Sequence, residues 1–432
     1  MKVLIQAGKV YSQGSLTTMD IIIEGGKIQA LGQHLIDQDE VDQVIDASGC
    51  LVTPGLIDIH VHYREPGFED KETIASGSRA AARGGFTSVC TMANTNPVPD
   101  TPEKLSQLIQ KNQSDGEVKI HQYAPITKDL TSDQVVDIPA MKEEGAFALS
   151  NDGHGVQSAA TMYQAMLAAK EQGLAICAHL EDRSLFNNGV INAGKAAERL
   201  ELPGILSVAE SSQLARDIEL ARATGVHYHV CHVSTAASLN LIRQAKLDGV
   251  NITCEVAPHH LLFHDGNILK DDANYKMNPP LRNSSDQEAL VQALNDGTID
   301  LIATDHAPHT EEEKSQGFLK SPFGIVGSET AFMSLYTLLV KRGKLSLERL
   351  IALMTDQPRQ LFHLETAGTI WPGQAADISI FNLDRPYQVK ASDYASKSSN
   401  SPLNNTSLYG KTEYCLVNGK VVYQAEGGNS NE

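Results

Sequence analysis

The chain is short of basic residues: 35 Lys and Arg stand against 53 Asp and Glu, a net charge of −18. Such an excess of acid argues against nucleic acid and against an anionic membrane surface as partners. It does not exclude an anionic substrate, because a bound cation and one arginine reverse the field locally. No apolar run is long enough to span a bilayer. The N-terminus offers Lys2 and a short apolar stretch, which is not the pattern of a signal peptide. None of the six cysteines, Cys50, Cys90, Cys177, Cys231, Cys254 and Cys415, belongs to a C-x-x-C pair, so no thiol redox motif is written into the chain. Several lie inside apolar runs, as buried free thiols do in a reducing compartment. No internal repeat is visible, and the one biased stretch, Ser396 to Asn405, reads as a loop. These absences leave a cytoplasmic protein acting on small molecules as the expectation.

What is present is histidine at the ends of strands. The run Gly55-Leu56-Ile57-Asp58-Ile59-His60-Val61-His62 follows Thr53-Pro54 and reads as a buried strand entered from a turn. Side chains alternate across a strand, so Asp58, His60 and His62 share one face. Two imidazoles projecting from one strand end are placed to hold a metal ion. Other apolar runs end in the same way. Leu174–Ala178 ends in His179, Val226–Cys231 in His232, Ile299–Thr304 in Asp305, and Ala146–Asn151 in Asp152. Together these form an N/O donor set suited to zinc, manganese or cobalt rather than to a soft thiolate metal.

The ends of the chain differ from its middle. Residues 1–54 read as short strands, with a hairpin signal at Gly25-Gly26, and the C-terminal part repeats that grammar with Asn418-Gly419. Between them strands alternate with helical spacing. Helix starts or stretches are expected at Thr101-Pro102-Glu103, Ser158–Lys170, Leu239–Lys246, Gln287–Leu294, Thr330–Lys341 and Leu347–Met354. Alternation of this kind predicts an α/β chain with a parallel sheet. Ligands spread over many strand ends favour a closed barrel over an open sheet. The expected division is 1–54 and 367–426 in one small β domain, 55–366 in the barrel, and 427–432 as a disordered tail.

The chemistry follows from the donors. A metal pair at a barrel mouth turns water into hydroxide near neutral pH and polarises a carbonyl. His60 and His62 are expected on one ion, His179 and His232 on the other, and Asp152 between them. Asp305, beside the first ion and the attacking water, is the expected acid/base. Arg64, two residues past His62, is placed to hold a carboxylate through a bidentate pair. Asn94 and Asn278 are loop amides suited to ring N–H and C=O groups. His309 and the Phe323-Gly324 loop complete the candidate substrate contacts, while His121, His227 and His229 read as packed or supporting residues.

The chain resembles the dihydroorotases of the longer bacterial type, within the amidohydrolase superfamily. The residues that carry this are Asp58-Ile-His-Val-His62 with Arg64-Glu-Pro-Gly67, Met92-Ala-Asn-Thr-Asn-Pro97, Asn151-Asp-Gly-His-Gly-Val-Gln157, Cys231-His-Val-Ser-Thr235, Tyr275-Lys-Met-Asn-Pro-Pro-Leu-Arg282, Thr304-Asp-His-Ala-Pro-His309 and Phe323-Gly-Ile-Val-Gly327. The resemblance implies a metal-dependent (β/α)8 barrel with a β-sandwich built from both termini. It implies reversible cyclisation of N-carbamoyl-L-aspartate to L-dihydroorotate in pyrimidine synthesis. By matching positions it implies metal ligands His60, His62, Asp152, His179, His232 and Asp305. The implied substrate contacts are His62, Arg64, Asn94, Asn278, His309, Phe323 and Gly324, with Asp305 as acid/base. Zinc, up to two ions, is the implied cofactor; homodimerisation and association with aspartate transcarbamoylase are the partners it leaves open. Many superfamily members bridge their metals with a carboxylated lysine, but residues 145–155 contain no lysine, and Asp152 stands in that role. Tyr63 and Ala93 depart from the Leu and Pro expected at their positions. Two rival readings remain at this point. One is another cyclic amidohydrolase (allantoinase, hydantoinase or dihydropyrimidinase); the other is an inactive homologue serving as a structural subunit.

Overall fold

The computed structural model describes residues 1–35, 40–365 and 369–426. The expected boundary at 366/367 and the expected tail at 427–432 lie outside these residues. No helix among the described residues is long and apolar enough to cross a membrane.

The middle of the chain closes a ring of parallel strands, the core of a (β/α)8 barrel. Leu56–Val61 pairs with Phe86–Thr91, which pairs with Lys119–Gln122. Parallel bridges from Ala124 to Leu149 and from Leu149 to Ile176 carry the ring onward. Ile176–Ala178, Tyr228–Val230, Ile252–Val256 and Leu301–Ile302 follow in order, and a bridge from His306 to Val61 closes it. Leu56–Val61, Phe86–Thr91, Tyr228–Val230 and Ile252–Val256 are buried on both faces, as strands lined by helices outside and side chains inside must be, while Lys119–Gln122 is mostly half-buried. Helices start where their caps lie. Thr101 accepts from the Lys104 amide ahead of Pro102–Asp115, and Ser158 accepts from the Thr161 amide ahead of Ala159–Glu171. The expected helix over 330–341 is shorter: Ala331–Leu335 widens into a π-helical turn over Tyr336–Val340. There the Thr337 hydroxyl bonds the Met333 carbonyl and accepts from the Tyr409 amide, tying the helix to the C-terminal part.

The ends of the chain form one eight-stranded sheet around its own apolar core of Val3, Ile5, Ile21, Ile23, Ile45, Ile378 and Leu416, among others. The join between the ends is the antiparallel pairing of Leu51–Pro54 with Ile378–Asn382. Chain leaving Pro54 passes through Gly55 straight into the first barrel strand. A Cβ at Gly55 would lie 2.0 Å from the Thr87 hydroxyl oxygen, so only glycine lets the two units approach this closely.

Candidate active site

Each expected ligand lies at the C-terminal mouth of the ring, the face where parallel barrels place their chemistry. His60 Nε2 is 3.4 Å from Asp152 Oδ1 and 3.5 Å from Asp305 Oδ1. His62 Nε2 is 3.1 Å from Asp305 Oδ1 and 3.3 Å from Asp152 Oδ2. His232 Nε2 lies 3.3 Å from Asp152 Oδ1 and 3.1 Å from His179 Nδ1. Six side chains separated by up to 245 positions thus converge on one buried spot. Two groups of donors overlap there: His60, His62 and Asp305, and His60, Asp152 and His232.

The donors fit a cation on a structural ground. His60 Nε2 is fully buried and makes no hydrogen bond, although carboxylates surround it. An orphaned acceptor among carboxylates is what a metal site leaves when its donors are considered alone. Glu255 accounts for the orientation: His60 Nδ1–H donates to its Oε1 at 2.6 Å, which directs Nε2 into the cluster. The same carboxylate takes His229 Nε2–H at 3.1 Å, and Thr253 bonds the other nitrogen of that ring. Burial works against charge on His60, but Asp152 and Glu255 outweigh it and hold this imidazole strongly basic. Glu255 itself is pressed upward by burial, yet His60 and His229 bring it down to about 2. A third group, His60, Cys231 and Glu255, also comes within ligand distance. Burial raises the Cys231 thiol far out of the range where it would ionise, which sets this group behind the other two.

His62 is oriented by Asn94, whose side-chain carbonyl accepts from Nδ1–H at 2.9 Å. Asn94 was expected against substrate; its carbonyl is occupied by His62. Asn278 donates to Glu181 Oε2 at 2.6 Å, and Glu181 in turn lies 3.5 Å from His179 Nε2. Burial raises the carboxyl of Asp305, but the His62 bond and the charges of His60 and His232 prevail and hold it well below the ordinary range.

A cavity of about 130 Å³ opens over the cluster, lined by His62, Asp152, His179 and Asp305 together with Arg64, Asn94, Asn278, Phe323 and Gly324. Larger cavities of about 480 and 530 Å³ lie elsewhere, without this concentration of reactive groups. Arg64 donates through Nε to the Pro308 carbonyl at 3.2 Å, and its Nη2 is 3.2 Å from His309 Nε2. Desolvation brings this guanidinium down to about 10, against the pull of Asp305 and Asp152, so it stays charged near neutral pH. His309 sits just behind the wall, bonded to the Phe323 carbonyl at 2.8 Å. Burial, with Arg64, Lys314 and Lys71 nearby, keeps its ring neutral.

Sequence reading missed Glu255, Glu181 and His259, all buried near the cluster. Glu255 had a visible signal, since Ile252-Thr253-Cys254-Glu255 repeats the pattern of an apolar run ending in a carboxylate. Three site residues also hold a left-handed backbone that no sequence pattern announces: Arg64 (φ 63°), His232 (φ 32°) and Asp305 (φ 50°). Strain of this kind at strand ends re-aims side chains toward a site.

Comparison with known proteins places this geometry. The Dihydro-orotase-like family matches residues 49–238. The dihydroorotase of Lactobacillus acidophilus is 54% identical over 425 residues, 98% of this chain and 99% of that protein. The dihydroorotase of Ligilactobacillus salivarius is 53% identical over 427 residues, 99% and 100% of the two. Among solved structures, the L-hydantoinase of Arthrobacter aurescens superposes with a TM-score of 0.86 at 25% identity, covering 98% of this chain and 96% of its own. The D-hydantoinase of Thermus sp. gives 0.84 at 26% identity, covering 98% and 95%. More than half of the residues are shared with the dihydroorotases along nearly the whole chain, against a quarter with the hydantoinases, and the chain therefore belongs to the dihydroorotase family of metal-dependent cyclic amidohydrolases.

Proposed function

We propose that the chain interconverts N-carbamoyl-L-aspartate and L-dihydroorotate, a step of pyrimidine synthesis, with the residues of the barrel mouth in the roles their chemistry suggests. The observation that carries this is a single cavity in which the donor cluster faces Arg64 and two asparagines. His60, His62, Asp152, His179, His232 and Asp305 would hold up to two zinc ions, with Asp152 between them. When bound, such ions supply acidity to water and polarise a carbonyl. In ring opening, Asp305 takes the proton of the attacking water at its carboxylate and returns it to the ring nitrogen as the C–N bond breaks. In ring closure the same carboxyl, now protonated, serves the reverse transfer. Arg64 binds the carboxylate common to both substrates. His62 borders substrate as well as metal, and the asparagine amides orient the ring.

Support for this reading over a hydantoinase comes from Arg64, a fixed positive charge suited to a ring that bears a carboxylate. Support over an inactive homologue comes from the intact donor cluster. Turnover of dihydroorotate, hydantoin and dihydrouracil by the metal-loaded protein tests it. Dihydroorotate should be preferred by at least about a hundredfold in kcat/KM, because an unmatched Arg64 penalises a neutral ring. Equal turnover of hydantoin would overturn the assignment. Cytoplasmic residence, a homodimer and association with aspartate transcarbamoylase belong to the same proposal on family grounds. Light scattering with and without the transcarbamoylase checks the last two.

A further inference from the structure

The polar stretch from Ser396 to Asn405 has no regular secondary structure, yet its centre is buried: Ser398 is 5% and Asn400 6% exposed. It runs between the short strands Tyr387–Gln388 and Ser407–Leu408, beyond the last barrel strand in the chain. From there it crosses the loops that frame the cavity. The Ser396 hydroxyl and the Lys397 amide donate to Glu72, and the Ser398 hydroxyl donates to the Lys71 carbonyl at 2.8 Å. Asn400 reaches furthest. Its Oδ1 accepts from the His309 amide at 3.2 Å, its Nδ2 donates to the Gly324 carbonyl at 3.1 Å, and its own carbonyl accepts from the Val326 amide.

One planar amide thus bonds both the loop carrying His309 and the loop carrying Phe323 and Gly324, beside the direct bonds from the His309 ring to the Phe323 carbonyl and from the Ala307 amide to the Ile325 carbonyl. A primary amide offers a donor and an acceptor a fixed distance apart, so it adds a second constraint on the separation of the two loops. That separation matters to the cavity. Gly324 has φ 128°, and a Cβ there would meet the Ala307 carbonyl at 2.8 Å and His309 Nε2 at 3.2 Å, so the two loops are already at contact. None of the six cluster donors receives a bond from Asn400.

We propose that Asn400 is a positioning residue that sets substrate affinity by holding the Phe323-Gly324 wall of the cavity against the His309 loop behind it. This rests on the reading of that wall as the substrate-carboxylate side. The test compares Asn400→Ala, Asn400→Asp and Arg64→Met in the full-length, metal-loaded protein. KM for dihydroorotate, kcat per loaded site, metal content and Tm are measured for each. Asn400→Asp keeps the acceptor for the His309 amide and removes the donor to Gly324, so it remains readable if Asn400→Ala does not fold. Loss of one or two bonds at the wall should raise KM about tenfold while kcat stays within about threefold and metal content is unchanged. Unchanged KM in the foldable variants, or KM, kcat and metal content failing together, would overturn the proposal. If Arg64→Met raises KM and the Asn400 variants do not, the positioning role of Asn400 fails and the substrate reading stands. If the Asn400 variants raise KM and Arg64→Met does not, Asn400 keeps its role and the carboxylate assignment falls.

Discussion

Asp305 and Arg64 line the same cavity and should fail in different ways. Asp305 is held ionised by His62, His60 and His232, the form needed to accept a proton in ring opening. Asp305→Asn keeps the shape but cannot carry the proton, so kcat should fall by about 10²–10⁴-fold with the fold intact. A kcat within tenfold of the parent would remove Asp305 from that role, since about 1.4 kcal/mol is too little for acid/base catalysis. Arg64→Met removes a charged hydrogen-bond partner and should weaken dihydroorotate binding by about 2–3 kcal/mol, read chiefly in KM. Asp152 offers Oδ1 to His60 and His232 and Oδ2 to His62, a span that suits a bridge. In Asp152→Ala, elemental analysis should find at least one ion lost per chain, with circular dichroism unchanged. Full metal content in this variant, or a bicarbonate requirement in the parent, would place the bridge elsewhere.

At the scale of elements, the helix Val208–Thr224 shows how the barrel holds a ligand-bearing loop in place. Its buried face carries Glu210, Gln213 and Asp217 beside the apolar Leu214, Ile218 and Ala221, so polar residues are buried along with the stripe that packs on the core. Glu210 accepts from the Ser234 and Thr235 amides, each at 3.2 Å, and from both hydroxyls, directly after His232. Arg282 stands 3.7 Å away and donates to the Ser234 hydroxyl. Burial raises the Glu210 carboxyl, but Arg282 and the Ser234 bonds more than offset it, leaving it below the ordinary glutamate range. The unfolded chain therefore binds this proton more readily than the folded one. The stabilisation is complete above the unfolded value and is lost as pH falls through the folded one. Glu210→Gln should cost about 3 kcal/mol at pH 7, because Arg282 is left buried without its counter-charge. In urea titrations from pH 7 to pH 3, the gap between parent and variant should narrow below about pH 4.5. A gap that stayed constant would show that Glu210 is not ionised in the fold.

For the molecule as a whole, the β domain and the barrel share too much structure to unfold apart. Leu51–Pro54 belongs to the terminal sheet and runs directly into the first barrel strand. Phe381 and Cys415, on strands of that sheet, pack in the same apolar cluster as Phe86 of the barrel. The buried Asp377 accepts from Lys119 at 2.5 Å across the join. Trp371, the sole tryptophan, follows the barrel and reports on the terminal unit, whereas far-UV circular dichroism reports mostly on the helices of the barrel. The two probes should give coincident urea midpoints, the signature of one cooperative unit. An earlier tryptophan transition would show the β domain to be separable.

What could be read without the structure was local. Period-two alternation puts His60 and His62 on one face, and runs ending in His179, His232, Asp152 and Asp305 mark strand ends within a few residues of themselves. The hairpins at Gly25-Gly26 and Asn418-Gly419 formed where their turn residues stand. What only the tertiary structure decided depends on ring closure, which brings together residues no sequence period relates. Glu255 supports His60 from 195 positions away, and Asn400 bridges loops 76 and 91 positions before it. Asn94 faces His62 because neighbouring strands end side by side. The left-handed backbone at Arg64, His232 and Asp305 is likewise imposed from outside. Local preference disfavours it for these residues, and the surrounding barrel holds them there.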